Sequence, residues 1–427
     1  MKKNGFVFLL VLTSVFGISL AACDSGNKAS PQFKVSIDLN DIEEEFDTHT
    51  EVQNNYLNDN YENIDKYGTG SSENSKPNSL NLSWSIADSE LELTALKLSL
   101  NENNEEPVTY VLDKDARNAT ITNLKVGTEY NWTITAVAGD KEVTSKPSFF
   151  KTKDGVARFI SIDGLSNVRD CGGWTGLDGK KIKQGLLYRG EELNQQNNGR
   201  SGSGETATTD PSKVDPDDAK EREKEKPYGQ KITETGINTF VNELKIKTEV
   251  DIRGYETFDY ETRVNDHPTE CGGLHDGRGI ILDINYVINP VHTNRDKIYY
   301  DNYGKAACKK IFSMLADEKY LPVYFHCAQG KDRTGFLATL FQALLGCSKE
   351  DILRDYLLSN LGKTGQVTLS KLNNNYNYID YFIDGKNVSP AGTATGDTAA
   401  ERVYNYLLDC GLTTTQLDQI RAKFLED

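Results

Sequence analysis

The chain has 427 residues, enough for two domains with connecting segments, and its 64 Asp and Glu against 48 Lys and Arg set a net charge of −16. That balance, with no basic patch anywhere along the sequence, excludes nucleic acid as a partner. Seven irregularly spaced cysteines do not make a disulfide framework, and His267, His275 and His292 are scattered without metal-ligand spacing, so neither a metal nor a cofactor is expected.

Residues 1–22 read as a signal segment. Lys2 and Lys3 precede an apolar run, Phe6 to Leu20, that is too short to span a bilayer. The run ends in Leu20-Ala21-Ala22-Cys23, which resembles a bacterial lipobox. The resemblance implies lipidation of Cys23 and a membrane-anchored, extracytoplasmic chain at the cell envelope. Residues 23–77 are polar and Asn-rich, with no Lys or Arg from Asp38 to Asp65, and they read as a disordered acidic tether with at most a brief strand at 33–37.

Residues 78–153 change character. Leu80 to Trp84, Lys97 to Leu100 and Tyr130 to Ala136 alternate apolar with polar, which predicts short strands and a small all-β sandwich. The pattern resembles a fibronectin type III module. Trp84 is then its core tryptophan, Leu124, Gly127 and Tyr130 lead into a tyrosine corner, and Ser148 to Thr152 form the last strand.

Residues 156–427 carry the chemistry. An Asn/Gly/Ser/Lys/Glu-rich insertion at about 195–228 reads as disordered. Thr233 to Leu244 has helical spacing, and Lys247 to Arg253 reads as a strand whose end places Asp251 and Arg253 at a ligand crevice, with Asp283 a further candidate acid. Val323 to Phe325 is then a strand, Cys327 to Arg333 a glycine-bearing loop, and Phe336 opens a helix that runs to about Gly346. Strand, tight loop and helix start aim free amides and the positive end of a helix at one spot, which is an anion site. There Cys327 is a candidate thiolate nucleophile. The Arg333 guanidinium can hold two phosphate oxygens. Asp332 can protonate a leaving oxygen. Thr334 can donate to the sulfur, His326 can fix the loop from behind, and Lys331 adds a second cation. Ala328, Gln329, Gly330 and Gly335 complete the cradle. Glu350 to Asn360 and residues 400–427 read as amphipathic helices that serve the core.

The decapeptide HCAQGKDRTG, residues 326–335, resembles the signature of the cysteine-dependent protein tyrosine phosphatase superfamily. Its Lys331-Asp332 pair resembles the bacterial secreted tyrosine/dual-specificity branch. Asn167-Val168-Arg169-Asp170, followed by Gly172-Gly173, resembles that branch's opening element, in which Arg169 and Asp170 would shape the site floor. The resemblance implies an α/β phosphatase domain, a central mostly parallel sheet flanked by helices, placed after the sandwich. It implies hydrolysis of protein phosphotyrosine through a cysteinyl-phosphate by a monomer without cofactors. Asp251 and Asp283 stay open as alternative acids to Asp332. Phosphoinositides or inositol phosphates are alternative substrates, and a catalytically silent lipoprotein that captures phosphorylated ligands is an alternative function.

Overall fold

The computed structural model describes residues 35–42, 45–59, 67, 71–87, 91–102, 105–193, 231–252, 284–288, 291, 302–362, 378–386 and 394–426. The signal segment, Cys23, the 195–228 insertion, Arg253 and Asp283 lie outside them. Two compact units result: residues through Thr48 with Asn78–Asp154, and His49–Pro77 with Gly155–Asp427.

The first unit is the sandwich. Its strands are β1 (Ser36–Leu39), β2 (Leu80–Ala87), β3 (Ala95–Glu102), β4 (Val108–Leu112), β5 (Asn118–Ile121), β6 (Glu129–Ala138), β7 (Lys141–Thr144) and β8 (Ser148–Lys151). One sheet runs β1-β2-β5; the other runs β4-β3-β6-β7, with β8 also on β6. Period-two alternation turns Leu82, Trp84, Leu96, Leu98, Trp132 and Ile134 into one core. The Tyr130 hydroxyl accepts the Lys125 amide at 2.9 Å, closing the tyrosine corner.

The tether reading is corrected at two places. β1 is ordered as the edge strand of the sandwich, antiparallel to β2 from Ser36↔Ala87 to Leu39↔Trp84. Ile37 and Leu39 turn toward the core while Ser36 and Asp38 face solvent, so a four-residue strand supplies only two inward side chains and is hidden among acidic neighbours. Residues 51–58 form helix α1 (Glu51–Asn58), started by a capping box between Thr50 and Gln53. Its Tyr56 is fully buried in the core of the second unit and donates its hydroxyl to the Arg354 carbonyl at 2.7 Å. Gln53 donates to the Asn74 and Lys76 carbonyls at 3.0 and 2.7 Å, folding the rest of this excursion back on the helix. Tyr56→Ala in the full chain is expected to lower the unfolding free energy by about 3–5 kcal/mol, the range for emptying a buried aromatic site. A denaturant midpoint that does not move would show that α1 adds nothing to the second unit's stability.

The second unit is built on a five-stranded sheet in the order β12-β11-β13-β10-β9. Its strands are β9 (Arg169–Asp170), β10 (Leu187–Gly190), β11 (Thr248–Asp251), β12 (Asn285–Ile288) and β13 (Val323–His326). β12, β11, β13 and β10 are mutually parallel and only β9 is antiparallel. The helices are α2 (Glu234–Asn238), α3 (Asn302–Leu315), α4 (Asp332–Leu344), α5 (Lys349–Leu357), α6 (Ala399–Asp409) and α7 (Thr414–Phe424). β13 is central, and α4, which follows it, is buried at every residue from Thr334 to Leu344, as a core helix must be. The helix starts at Asp332 rather than at Phe336, because the loop's own charged residues form its first turn.

Candidate active site

The loop from Cys327 to Lys331 joins the C-terminal end of the central parallel strand to the N-terminus of α4, where α/β folds bind ligands. Every carbonyl of this loop is taken by a donor. His326 Nδ1 lies 3.1 Å from the Cys327 oxygen, and the Glu192 amide donates to Ala328 at 3.4 Å. Asn167 Nδ2 donates to Gln329 at 3.0 Å, and Arg189 Nη2 to Gly330 at 3.0 Å and to Lys331 at 3.5 Å. With the carbonyls committed to the scaffold, the loop amides other than that of Cys327 can serve an anion. Gly330 makes the turn possible. Its φ is +65°, and a Cβ there would sit 2.3 Å from the Gly190 backbone, so a side chain is excluded twice over.

Cys327 is buried, 4% exposed. Burial raises its thiol, but the Arg333 guanidinium, the Thr334 hydroxyl and the amides of Thr334 and Gln329 outweigh that and hold it below its ordinary value. The Thr334 hydroxyl oxygen also accepts the Cys327 amide at 2.9 Å, locking nucleophile and helix start together. Arg333 is steadied by the Ile252 carbonyl, 3.4 Å from Nη1. Asp332 sits in the first turn of α4, where Oδ1 accepts the Tyr356 hydroxyl at 2.9 Å. Lys331 is half-buried and, among the described residues, pairs with no carboxylate.

Beneath the loop lies a buried charge network. Asp355 on α5 accepts Arg169 Nε at 2.9 Å and Arg189 Nη1 at 2.7 Å. Arg169 Nη1 reaches Asn167 Oδ1 at 2.7 Å, which leaves Asn167 Nδ2 for the loop. Burial raises the Asp355 carboxyl, but the two guanidiniums overcome it and hold the group below the usual carboxylate range. Arg169 is pushed down, by burial first and by Arg189 second.

The sequence-derived candidates therefore separate. His326 through Gly335, Asn167 and Arg169 come together around one cradle. Asp170 does not reach it. Its carboxylate turns to Arg158 Nη1 at 2.9 Å and to the amides of Gly172 and Gly185 at 2.8 and 2.6 Å, stapling the double-glycine turn. Asp251 is fully buried at the end of β11, in register with His326. Asp355, Arg189, Tyr356 and Glu249 also belong to the site, and sequence reasoning gave Asp355, Tyr356 and Glu249 no role there. The Asp355-Tyr356 pair stood inside a segment read as a helix, but which partner each would meet is a long-range matter. Glu249, whose Oε1 lies 2.9 Å from His326 Nε2, gave no local signal beyond strand alternation.

The sequence model of the tyrosine phosphatase family matches residues 160–201 and 229–426, together more than half of the chain. The chain belongs to the tyrosine phosphatase family. The fibronectin type III domain matches residues 69–151, and β1, which completes that module's first sheet, lies outside the matched span. A tyrosine-protein phosphatase of Nostoc commune is 41% identical over 51 residues, 12% of this chain and 17% of that protein. A triple specificity protein phosphatase of Mycobacterium tuberculosis is 39% identical over 59 residues, 14% of this chain and 21% of that protein. The chain thus aligns with about a fifth or less of the length of these relatives. In this family member the loop, its carbonyl anchors and the lowered thiol form a single unit within the matched region.

Proposed function

We propose that the protein hydrolyses phosphomonoesters, protein phosphotyrosine above all, through a cysteinyl-phosphate. The observation that carries this reading is a buried thiol held low by Arg333 and by amides whose carbonyls are all tied elsewhere. Cys327 sulfur attacks phosphorus while Arg333 and the loop amides hold the equatorial oxygens. The ester P–O bond breaks, and the leaving oxygen takes a proton from the Asp332 carboxyl. Water then attacks the cysteinyl-phosphate and gives its proton to the Asp332 carboxylate. The S–P bond breaks to release phosphate, and the Thr334 hydroxyl stabilises the departing thiolate. Asp332 is preferred as the acid because it lies at the loop and is oriented by Tyr356, whereas Asp251 is buried in the sheet.

The test is phosphate release from a phosphotyrosine peptide in the presence of a chelator, with an acid quench and mass mapping of Cys327. A phosphoryl adduct on Cys327 during turnover is expected. Turnover lost to the chelator, or an adduct elsewhere, would remove the cysteine mechanism.

Lys331, which pairs with no carboxylate among the described residues, favours a second substrate class, phosphoinositides, whose additional phosphate it can reach. Lys331→Ala is expected to lower kcat/KM for a short-chain phosphoinositide about tenfold, the scale of one charge-assisted bond, and for phosphotyrosine by less. Equal losses on both substrates would withdraw the phosphoinositide reading. We further propose that Cys23 is lipidated and anchors the chain at the cell envelope, on the strength of its lipobox-like context. Cys23→Ala should then leave the protein out of the membrane fraction.

A further inference from the structure

The excursion from His49 to Pro77 belongs to the second unit. α1 lies in neither matched span, and the 3₁₀ turn Glu73–Ser75 falls within the span that matches the fibronectin type III domain. Both pack on one short stretch of the phosphatase domain. Tyr56 is fully buried, and its hydroxyl meets the Arg354 carbonyl near the end of α5. That carbonyl also accepts the Leu358 amide, where the helix tightens into the 3₁₀ turn Leu358–Leu361. The turn Glu73–Ser75 packs on the same Leu358–Leu361 turn. Gln53, itself fully buried, ties the two grips together through the Asn74 and Lys76 carbonyls. Burial pushes the Tyr56 phenol well above its ordinary value against the pull of Arg169 and Arg354, with Asp355 adding to the rise, so the hydroxyl stays a donor.

The stretch held in this way is the one that holds the phosphate loop. Asp355 follows Arg354 and carries Arg169 and Arg189, and Arg189 donates to the Gly330 and Lys331 carbonyls. Tyr356 comes next and donates to Asp332. Ser359, in the turn, accepts Asn167 Nδ2 at 3.3 Å, beside that group's bond to the Gln329 carbonyl. A small shift of this backbone therefore moves the loop's anchors together. We infer that residues 49–77 are a working part of the catalytic unit and that Tyr56 is a positioning residue for the Cys327 loop: it fixes the backbone from which Asp355, Tyr356 and Ser359 reach the site. The inference rests on the reading of that loop as the phosphate site. A role in packing alone would stabilise the unit and leave the folded enzyme's affinity for phosphate as it is. A positioning role ties the two, and the coupling is reciprocal: whatever α1 adds to phosphate binding, bound phosphate adds to the stability of α1.

The experiments use the full chain. Tyr56→Phe keeps the ring and removes the hydroxyl. At a temperature where its circular dichroism matches that of wild type, inorganic phosphate is expected to bind about fivefold more weakly by calorimetry, the scale of one hydrogen bond. A similar factor should be lost from kcat/KM for a phosphotyrosine peptide. The second measurement needs no variant. Hydrogen exchange of the wild-type chain is followed by mass spectrometry with and without saturating inorganic phosphate. Peptides covering 51–58 and 73–76 are expected to exchange about fivefold more slowly with phosphate bound, beyond any slowing in α7, which reports the stability of the unit as a whole. Unchanged phosphate affinity in folded Tyr56→Phe, or slowing in 51–58 no greater than in α7, would overturn the inference. So would a loop, 326–335, that phosphate leaves unprotected, and that result would remove the proposed reaction as well. Coupling seen without turnover on any phosphomonoester would instead count against the proposed reaction and leave α1 as the support of an oxyanion site.

Discussion

Cys327→Ser is expected to lower kcat/KM for a phosphotyrosine peptide by on the order of 10⁵–10⁶-fold, the scale seen when a covalent nucleophile is removed from an otherwise intact site. The loop amides, Arg333 and the carbonyl anchors all remain, so affinity for the peptide should stay within a few-fold of wild type by calorimetry. Loss of turnover with retained binding separates chemistry from recognition. A serine variant within tenfold of wild type would mean that the thiol takes no part in bond making. The thiol also gives the pH profile its sign. Its folded-state value lies below the ordinary thiol value because Arg333 and the local donors outweigh burial. Its reactive form therefore accumulates as pH rises through that lowered value, and kcat/KM should climb there. Arg333→Ala removes the largest stabilising partner. Its rising limb should move to higher pH, on top of a loss of about 10²–10³-fold from the missing oxygen ligand.

What the sequence shows and what it hides follow from the range of the interactions. Residues 326–335 are contiguous, and their chemistry is local, so strand, loop and helix start can be read together with the nucleophile. The sandwich is legible for a similar reason, since alternation is a property of each strand alone. β1 and α1 are not. EVQNNYLN has few apolar residues, and α1 depends on a cap and on Tyr56 bonding a carbonyl 298 positions away. The aspartates make the same point. Asp170 and Asp355 both stand in recognisable segments, but only folding decides that Asp170 serves a glycine turn and Asp355 collects two arginines. Glu249 is the extreme case: its partner is on a neighbouring strand, and nothing in TEVD marks one carboxylate as special.

Asp355→Asn is expected to destabilise the chain by about 3–5 kcal/mol at neutral pH, because it leaves two buried guanidiniums without their counter-charge. Asn keeps the shape and one acceptor, so the loss is electrostatic rather than a matter of volume. The pH dependence distinguishes this from a packing defect. The folded Asp355 carboxyl is held below the usual range by Arg169 and Arg189 against the cost of burial. A depressed group contributes stability that is fully present above its unfolded value, about 3.9, and is lost as pH falls through the folded value. The gap in denaturant midpoint between wild type and variant should therefore stay constant from pH 7 to about pH 5 and narrow only in stronger acid. A gap that closes between pH 7 and 5 would mean that the arginines do not hold the carboxylate ionised. Activity should fall with stability, since Arg189 also anchors the Gly330 and Lys331 carbonyls and Arg169 orients Asn167 on Gln329. Replacing all three charges together, Asp355→Leu with Arg169→Met and Arg189→Met, should recover much of the stability, because an apolar substitute for a buried ion cluster is often neutral or better. It should not recover turnover. The Gly330 and Lys331 carbonyls would then have lost Arg189, and Asn167 the arginine that orients it on Gln329, and a stable but inactive triple variant would show that this network is kept for the shape of the loop.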